Sequence, residues 1–448
     1  MKAARKLRRL QQPQSLLEFV RQFLTPQVWK QARHAGLRRR PRPRWDLQPL
    51  VIILLVMTWA AGDSQEEQFQ AARGFYVMSH ECRKRPGKTL AGFQKALAGL
   101  PMCYLRALSQ GVRDQIRARF GDRLLVDGYE PFGCDGGRVE CPRSAELEAR
   151  MGKAGNDDSA PQLWITAFVH LSLGLLWSWR LGKGTADERL HLRQLLYTLS
   201  PQAMIVADAA YMGYELALAI LANNQSFLLR LSSKMYLYST EQKTLEEWEE
   251  GLVYYWPGKM QEKGRPPILC RLIRVKVTGS KKYDVWLLTN VLDTQRFTAA
   301  TAAKFYRWRW RNEGLFRTYK RTLKKLKFSS RTICLLHREA EGSLLALQIL
   351  LAHADLALRP SISNGEPAIS PRKVLVEIRR EIKGSGRRRI QSYRKRLNRC
   401  RADSRQQTSP KASREWPRRK PHKPPAPPIL RTLTDAQKAL LRKHIHAA

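Results

Sequence analysis

The chain has 448 residues, of which 81 are Lys or Arg and 38 are Asp or Glu, so its formal net charge is +43. Such an excess repels itself unless a polyanion neutralises it, and a nucleic acid is the commonest one. The seven cysteines form no CxxC pair, which argues against a structural zinc site and for reduced thiols. Apolar residues make up 43% of the chain, enough for one main domain with additions.

Near the start of the chain, residues 1–45 carry thirteen Lys or Arg and a single acid, Glu18. Apolar residues at 16, 19, 20, 23 and 24 recur at helical spacing. This pattern predicts a basic helical region over residues 1–120 that contacts the polyanion. A merely solvated basic surface is the alternative.

The apolar run Leu50–Ala61 is the strongest candidate for a membrane segment, but it spans only twelve residues. That is too short for a hydrocarbon layer of about 30 Å. It also begins too far into the chain for a secretory signal. We expect a buried helix here, no membrane association and a cytoplasmic protein.

From about residue 121 the pattern changes to short strands alternating with helices. The expected elements are a hairpin, a helix, a strand, a helix and a strand, over Leu163–Leu171 with Leu175–Leu181, Asp187–Leu199, Met204–Ala207, Tyr214–Leu221 and Phe227–Leu231. This order predicts an α/β fold with a ribonuclease-H-like mixed sheet flanked by helices, if a short strand ending at Asp135 precedes the hairpin. We assign residues 121–231 to the first part of that domain.

Three further regions follow. Residues 232–282 interrupt the alternation and predict a β-rich insertion, with a hairpin of Cys270–Val277 and Tyr283–Thr289 at its end. Residues 283–360 predict the remainder of the domain, helical from Ala299 to about Leu358. Residues 361–448 are strongly basic and proline-rich in part, which predicts a disordered tail that does not pack.

The most informative stretch runs from Tyr306 to Lys320. On a helix that turns about 100° per residue, Tyr306, Arg309, Glu313 and Lys320 fall within an arc of about 60°. Glu313 is the single acid between Phe297 and Glu339. One carboxylate in a cationic stripe suits a metal ligand beside a phosphate, although a solvated amphipathic helix has the same spacing.

Two aspartates are candidates to join Glu313. Asp208 directly follows the apolar run Met204–Ala207, where a strand end would fix a metal ligand or an ordinary turn residue. Asp135 is followed by two glycines, and its rival Asp127 has the better apolar lead-in. We prefer Asp135 for the residues that follow it.

These residues resemble the DDE insertion-sequence transposases, in the subgroup defined by a Tyr-x2-Arg-x3-Glu-x6-Lys signature. Tyr306, Arg309, Glu313 and Lys320 match that spacing without a gap. Asp135-Gly136 followed by Pro142-Arg143 is similar to the family's first aspartate motif, and Asp208 to its second. Gly137 stands where the family usually has a hydroxyl residue.

The resemblance implies that Asp135, Asp208 and Glu313 are catalytic and bind two Mg²⁺ or Mn²⁺ ions. Phosphates near the cut would be held by Tyr306, Arg309 and Lys320. Trp286 lies close to where some relatives stack a flipped base, although a core strand residue is the alternative. The implied activity is metal-dependent DNA cleavage at the ends of an insertion element and strand transfer into target DNA.

The implied partners are DNA, as terminal inverted repeats bound by the N-terminal region and as target, and a second copy of the chain. A cytoplasmic, nucleoid-associated protein follows. Two other readings stay open. One is a ribonuclease-H-like nuclease such as a resolvase, which cuts structured DNA without joining ends. The other is a catalytically dead, DNA-binding relative of the transposases.

Overall fold

The computed structural model describes residues 15–35, 45–80, 85–153, 158–277, 283–358, 370–384, 393, 396, 397, 399, 400 and 426–446. Within these residues, no helix is both long and apolar enough to cross a bilayer. The run predicted as a buried helix is one: its side chains from residue 50 to 60 are all buried.

In the described part of the N-terminal region there are six helices: α1 Leu16–Phe23, α2 Pro26–His34, α3 Leu47–Trp59, α4 Gln65–Ser79, α5 Leu90–Ala98 and α6 Met102–Phe120. Four of them begin after a hydroxyl residue whose oxygen accepts a hydrogen bond from the backbone N–H three residues on, at Ser15, Thr25, Ser64 and Thr89. Pro101 separates α5 from α6, because a proline supplies no N–H and favours the first turn of a new helix.

A ten-stranded mixed sheet forms the centre. Its strands are β1 Glu130–Glu140, β2 Gln162–His170, β3 Leu175–Lys183, β4 Ala203–Ala207, β5 Ser226–Arg230, β6 Tyr236–Ser239, β7 Glu250–Tyr255, β8 Ile268–Val277, β9 Tyr283–Thr289 and β10 Ile429–Thr432. The spatial order is β10-β6-β7-β8-β9-β5-β4-β1-β2-β3. Strands β1, β2 and β3 are antiparallel, whereas β1, β4 and β5 are parallel.

The other helices of the described residues are α7 Ala145–Arg150, α8 Glu188–Leu195, α9 Tyr214–Ala222, α10 Gly258–Glu262, α11 Ala299–Trp308, α12 Arg311–Arg317, α13 Ile333–Leu358, α14 Pro371–Lys383 and α15 Asp435–His446. The predicted mixed α/β class, with helices flanking a large mixed sheet, is thus confirmed. Strand β1 differs from the prediction, because it continues five residues beyond Asp135 instead of ending there.

One continuous cluster of buried apolar side chains joins the N-terminal helices, α13 and the sheet. The central helix α13 packs on α3, α6 and β3. Its carbonyl at Ala346 accepts a hydrogen bond from the Trp59 indole at 3.2 Å, and Gln348 accepts one from Ser109 at 3.1 Å. The N-terminal helices and the region after residue 283 therefore share one core.

The β-rich insertion is present as β6, β7 and β8, and it lengthens the main sheet through the β8–β9 and β9–β5 pairs. The turn expected between β8 and β9 lies outside the described residues. The insertion's far edge, β6, is covered by β10, which pairs with it in parallel from Ile429 to Thr432.

The prediction that residues 361–448 do not pack needs correction. Helix α14 buries Val374, Leu375, Ile378 and Ile382. After β10, the side chains of Leu433 and Leu441 pack with Tyr238 and Trp256 of the insertion. The physical reason is that average composition concealed a regular apolar stripe within a basic sequence. Residues 361–369 and 401–425, including part of the proline-rich run, lie outside the described residues.

Candidate active site

The sheet brings two of the three candidate carboxylates to the same level. Strands β1 and β4 are parallel neighbours, with Gly133 paired to Val206. Two residues further on, this register places Asp135 beside Asp208, which directly follows β4. Aligned residues of neighbouring parallel strands lie on one face of the sheet. The Asp208 carboxylate also accepts a hydrogen bond from the Ala209 N–H, at the start of a short turn.

The helix that carries the third candidate, Glu313, packs against two glycines of β1. Gly133, Asp135 and Gly137 alternate on one face of β1, which we call the carboxylate face. A Cβ at Gly133 would lie 2.6 Å from the Asn312 side chain, and one at Gly137 would lie 3.0 Å from Phe316. Helix α12, which carries Glu313, therefore rests directly on the carboxylate face, and the two glycines leave room for this approach.

Glu313 is exposed at this face, and its charge is among those that act on Asp135. The helix that carries it is short. The structure corrects the prediction of one continuous helix from Ala299: α11 ends at Trp308, α12 begins at Arg311, and a π-helical turn covers Thr318–Thr322. A wheel at constant pitch therefore does not describe the positions of the four signature residues.

The other three signature residues nonetheless lie near the carboxylates. The Arg309 guanidinium is 3.7 Å from the Asp208 carboxylate and only 11% exposed. The Tyr306 ring lies 5.4 Å from the Arg309 guanidinium, and burial raises the pKa of that phenol. Burial lowers the pKa of Lys320, and the nearby Asp135 charge partly opposes this. All three residues thus gather around Asp135 and Asp208.

Arg230 is a residue of this cluster that the sequence analysis missed. It ends β5, and its guanidinium is 2.8 Å from the Asp208 carboxylate. No motif marks it in the sequence. The signal would have been its place at the end of a strand that follows the Asp208 strand, because parallel strands end at one edge.

The rival Asp127 lies elsewhere. It precedes β1 in a turn with φ of 52°, accepts a hydrogen bond from the Thr301 hydroxyl at 3.0 Å and is 3.4 Å from the Lys304 ammonium. From the start of β1 to Asp135 there are about 16 Å of extended chain at about 3.3 Å per residue. Asp127 therefore holds the beginning of α11, and the geometry favours Asp135.

Trp286 is placed differently from the resemblance. Its side chain is 6% exposed in β9 and belongs to the main core cluster. The Arg274 guanidinium lies 5.4 Å from its ring and is itself held by Asp284 at 2.7 Å. This burial favours the core-strand alternative over base stacking.

Burial has the largest effect on the pKa of Asp135. Burial raises the pKa of Asp135 to about 6, the Gly136 N–H and Arg309 act against this, and Glu188 and Glu313 add to it. The Gly136 N–H donates to its carboxylate at 2.9 Å. The Asp135 carboxylate thus lacks a sufficient cation partner, a fit for an added metal ion.

A pH-dependent stability follows. In buffer with EDTA, folded Asp135 keeps its proton up to about pH 6, whereas in the unfolded chain it loses it near 3.8. Between these values the folded state binds more protons, so the free energy of unfolding falls as the pH rises. Urea unfolding of wild type and Asp135→Asn should therefore diverge across this range. A pH-independent difference between the two would contradict the perturbed pKa.

Among the described residues, no group of three or more His, Cys, Asp or Glu is arranged to hold a metal ion. Part of the reason is visible at Asp208, which is engaged by Arg230 and Arg309. The donor set of Asp135, Asp208 and Glu313 consists of hard oxygens, which fits Mg²⁺ or Mn²⁺.

Arg230→Gln is expected to strengthen the binding of Mn²⁺ about two- to fivefold in calorimetric titration. A metal ion must displace the guanidinium from Asp208, and a partly exposed ion pair is worth up to about 1 kcal/mol. Lys304→Gln is the control, because it removes one cation that faces Asp127 instead. Equal changes in both variants would mean that general charge, and not the Asp208 contact, sets the affinity.

Parts of the chain are similar to known proteins. Among curated proteins, no sequence matches the chain. A cryo-EM structure of the piggyBac transposase synaptic complex with hairpin DNA is similar at a TM-score of 0.43 and 12% identity, over 89% of this chain and 87% of that chain. Residues 135–349 match the family model of the transposase DDE domain. That segment contains Asp135, Asp208 and Glu313, so the part of the chain with the candidate site is similar to the transposase DDE domain.

Proposed function

We propose that the chain is a DNA transposase that cuts the ends of an insertion element and joins them to target DNA. The observation that carries this is the carboxylate face: Asp135 and Asp208 are level on parallel strands, and the helix of Glu313 rests on the same face. The match to the transposase DDE domain begins at Asp135 and supports the assignment.

The topology supports a ribonuclease-H-like core within the larger sheet. The five strands β3-β2-β1-β4-β5 combine an antiparallel trio with a parallel trio that shares β1. This is the arrangement expected from the sequence. It also supports membership of the Tyr-x2-Arg-x3-Glu-x6-Lys subgroup, since Tyr306, Arg309 and Lys320 gather beside the carboxylates.

In the proposed mechanism, Asp135, Asp208 and Glu313 would hold the ions. When bound, two Mg²⁺ or Mn²⁺ ions would lower the pKa of the attacking water and neutralise charge on the leaving 3′ oxygen. Arg309 and Lys320 supply positive charge for the phosphate at the cut, and Tyr306 adds a hydroxyl. The pKa of Asp135, about 6, leaves this carboxylate ionised at neutral pH.

The remaining parts of the proposal concern partners. A net charge of +43 suits a chain that covers long stretches of DNA backbone. The N-terminal helices would bind terminal inverted repeats, and a homodimer would hold two ends in one complex. A protein engaged in this way would be associated with the nucleoid.

The decisive experiment uses the DNA that flanks the gene. Fragments ending at inverted repeats, cut in advance to expose their 3′ ends, are incubated with the protein, Mg²⁺ and a supercoiled plasmid. Joined products support the transposase. Cleavage of branched DNA without joining would favour a resolvase, and tight binding with no product in Mg²⁺ or Mn²⁺ would favour a catalytically dead relative.

A further inference from the structure

A cationic cavity lies apart from the carboxylate face. It has a volume of about 180 Å³, and its lining residues are Met57, Thr58, Ala60, Ala61, Gly62, Asp63, Gln68, Leu323, Lys324, Lys325, Lys327, Ser329 and Arg379 of α14. Four of its side chains are cations: Lys324, Lys325, Lys327 and Arg379. Asp63 is its one acidic lining residue. We call this space the cation cavity.

Two of the four cations are already held by carboxylates. Lys325 is 2.8 Å from Glu339, and both side chains are largely buried. Lys327 is 2.6 Å from Glu140, the residue that ends β1. These pairs fix the segment that carries the lysines and neutralise two of the four cations.

Lys324 and Arg379 are poorly neutralised. Lys324 is 3.7 Å from Asp63, whose side chain is 98% exposed, so this ion pair contributes little. Arg379 donates to the Trp59 carbonyl at 3.0 Å, and within the described part of the chain no carboxylate contacts it. Burial lowers the pKa of Arg379, as expected for a charge that lacks an anion. An incoming anion would meet two available cations here.

Lys324 has an unusual backbone conformation. Its φ is 56°, a conformation that L-residues other than glycine seldom adopt. The turn follows the π-helical turn that carries Lys320, and the next residues are anchored through Lys325 and Lys327. Strain of this kind persists where surrounding contacts hold it, commonly at binding sites.

The position of the cavity relates it to the carboxylate face. Glu140, which contacts Lys327, lies five residues beyond Asp135 on β1, about 16 Å along an extended strand. Because side chains alternate along a strand, Glu140 faces the side of β1 opposite to Asp135, and the cavity is a site separate from the carboxylate face.

We propose that the cation cavity binds a phosphate group of the DNA backbone through Lys324 and Arg379. This inference rests on the proposed function only in taking DNA as the partner. The site adds an anchor that involves the N-terminal helices, the segment after the Glu313 helix and α14 at one point.

The test measures binding of a blunt-ended duplex of random sequence, in EDTA, across a series of salt concentrations. Phosphate contacts do not depend on base sequence, and each contact contributes about 0.9 to the slope of log K against log salt. Lys324→Gln should lower the magnitude of that slope by about one. Lys324→Arg, which keeps the charge, should restore it, and an unchanged slope in Lys324→Gln would overturn the proposal.

Two controls separate the site from general charge. Lys263→Gln removes another exposed lysine, in the insertion, and should leave the slope nearer to wild type; an equal loss would overturn a defined site. Stabilisation of wild type by inorganic phosphate, with DNA binding unaffected by Lys324→Gln, would assign the cavity to a small anion and overturn the DNA assignment. A wild type that binds no duplex would contradict the proposed function itself.

Discussion

Asp135→Asn, Asp208→Asn and Glu313→Gln are each expected to reduce DNA strand cleavage by about 10³-fold or more in Mg²⁺. A bound metal ion contributes several kcal/mol to charge stabilisation in such reactions, and each 1.36 kcal/mol is a factor of ten in rate. An amide of similar shape removes the negative charge without opening a cavity. The measurement is the single-turnover cleavage of an end-containing duplex, alongside DNA binding in EDTA, which should change little.

The matched control for this series is Asp127→Asn. Asp127 is the other aspartate near β1, but it faces Thr301 and Lys304. Cleavage by that variant should stay within a few-fold of wild type once folding is verified. If Asp127→Asn abolishes cleavage and Asp135→Asn does not, the first carboxylate has been assigned to the wrong residue.

Glu339→Ala is expected to lower the free energy of unfolding by about 3–5 kcal/mol, the usual cost of leaving one buried charge without its partner. The Glu339 carboxylate accepts hydrogen bonds from Lys325 at 2.8 Å and from the Ser329 and Ser330 N–H groups at 3.1 and 3.0 Å. Burial alone would raise the pKa of Glu339, yet Lys325 and the Ser330 hydrogen bonds outweigh it and lower the pKa. The measurement is urea unfolding at neutral pH.

An exposed ion pair of nearly the same length provides the control. Glu241 and Lys243 are 2.7 Å apart, but their side chains are 45% and 56% exposed. Glu241→Ala should therefore change stability by no more than about 1 kcal/mol. The double variant Lys325→Met with Glu339→Leu should recover part of the loss, because it removes both charges. A Glu339→Ala variant as stable as Glu241→Ala would show that the buried pair is not needed.

The strands near the carboxylate face could be predicted from sequence because their patterns are local. The hairpin of β2 and β3 and the short strand before Asp208 agree with the observed bounds within about two residues. Alternating or continuous apolar runs, bounded by turn residues, are enough to define such elements. The mixed α/β class follows from their order.

The features that could not be predicted from sequence depend on contacts between residues far apart in the chain. The sequence predicts a strand that ends at Asp135, before Gly136 and Gly137, but β1 continues through both glycines. Gly137 allows Phe316 of α12 to approach the strand closely. A helical wheel assumes a continuous helix and therefore does not predict the break between α11 and α12. Asn312 is fully buried beside Gly133, and neither of its amide atoms has a hydrogen-bond partner among the described residues. No spacing rule indicates a buried amide at that position.

The pairing of β10 with β6 has a consequence for the order of folding. The strand that covers this sheet edge lies far downstream of β6 in the chain. During synthesis, β6 is therefore made before β10, and the N–H and C=O groups at its edge stay unpaired until β10 is made. An unpaired strand edge can associate with other chains. Ribosome-bound intermediates should accordingly be the most aggregation-prone form of this protein, and completing the edge would coincide with the arrival of the C-terminal segment.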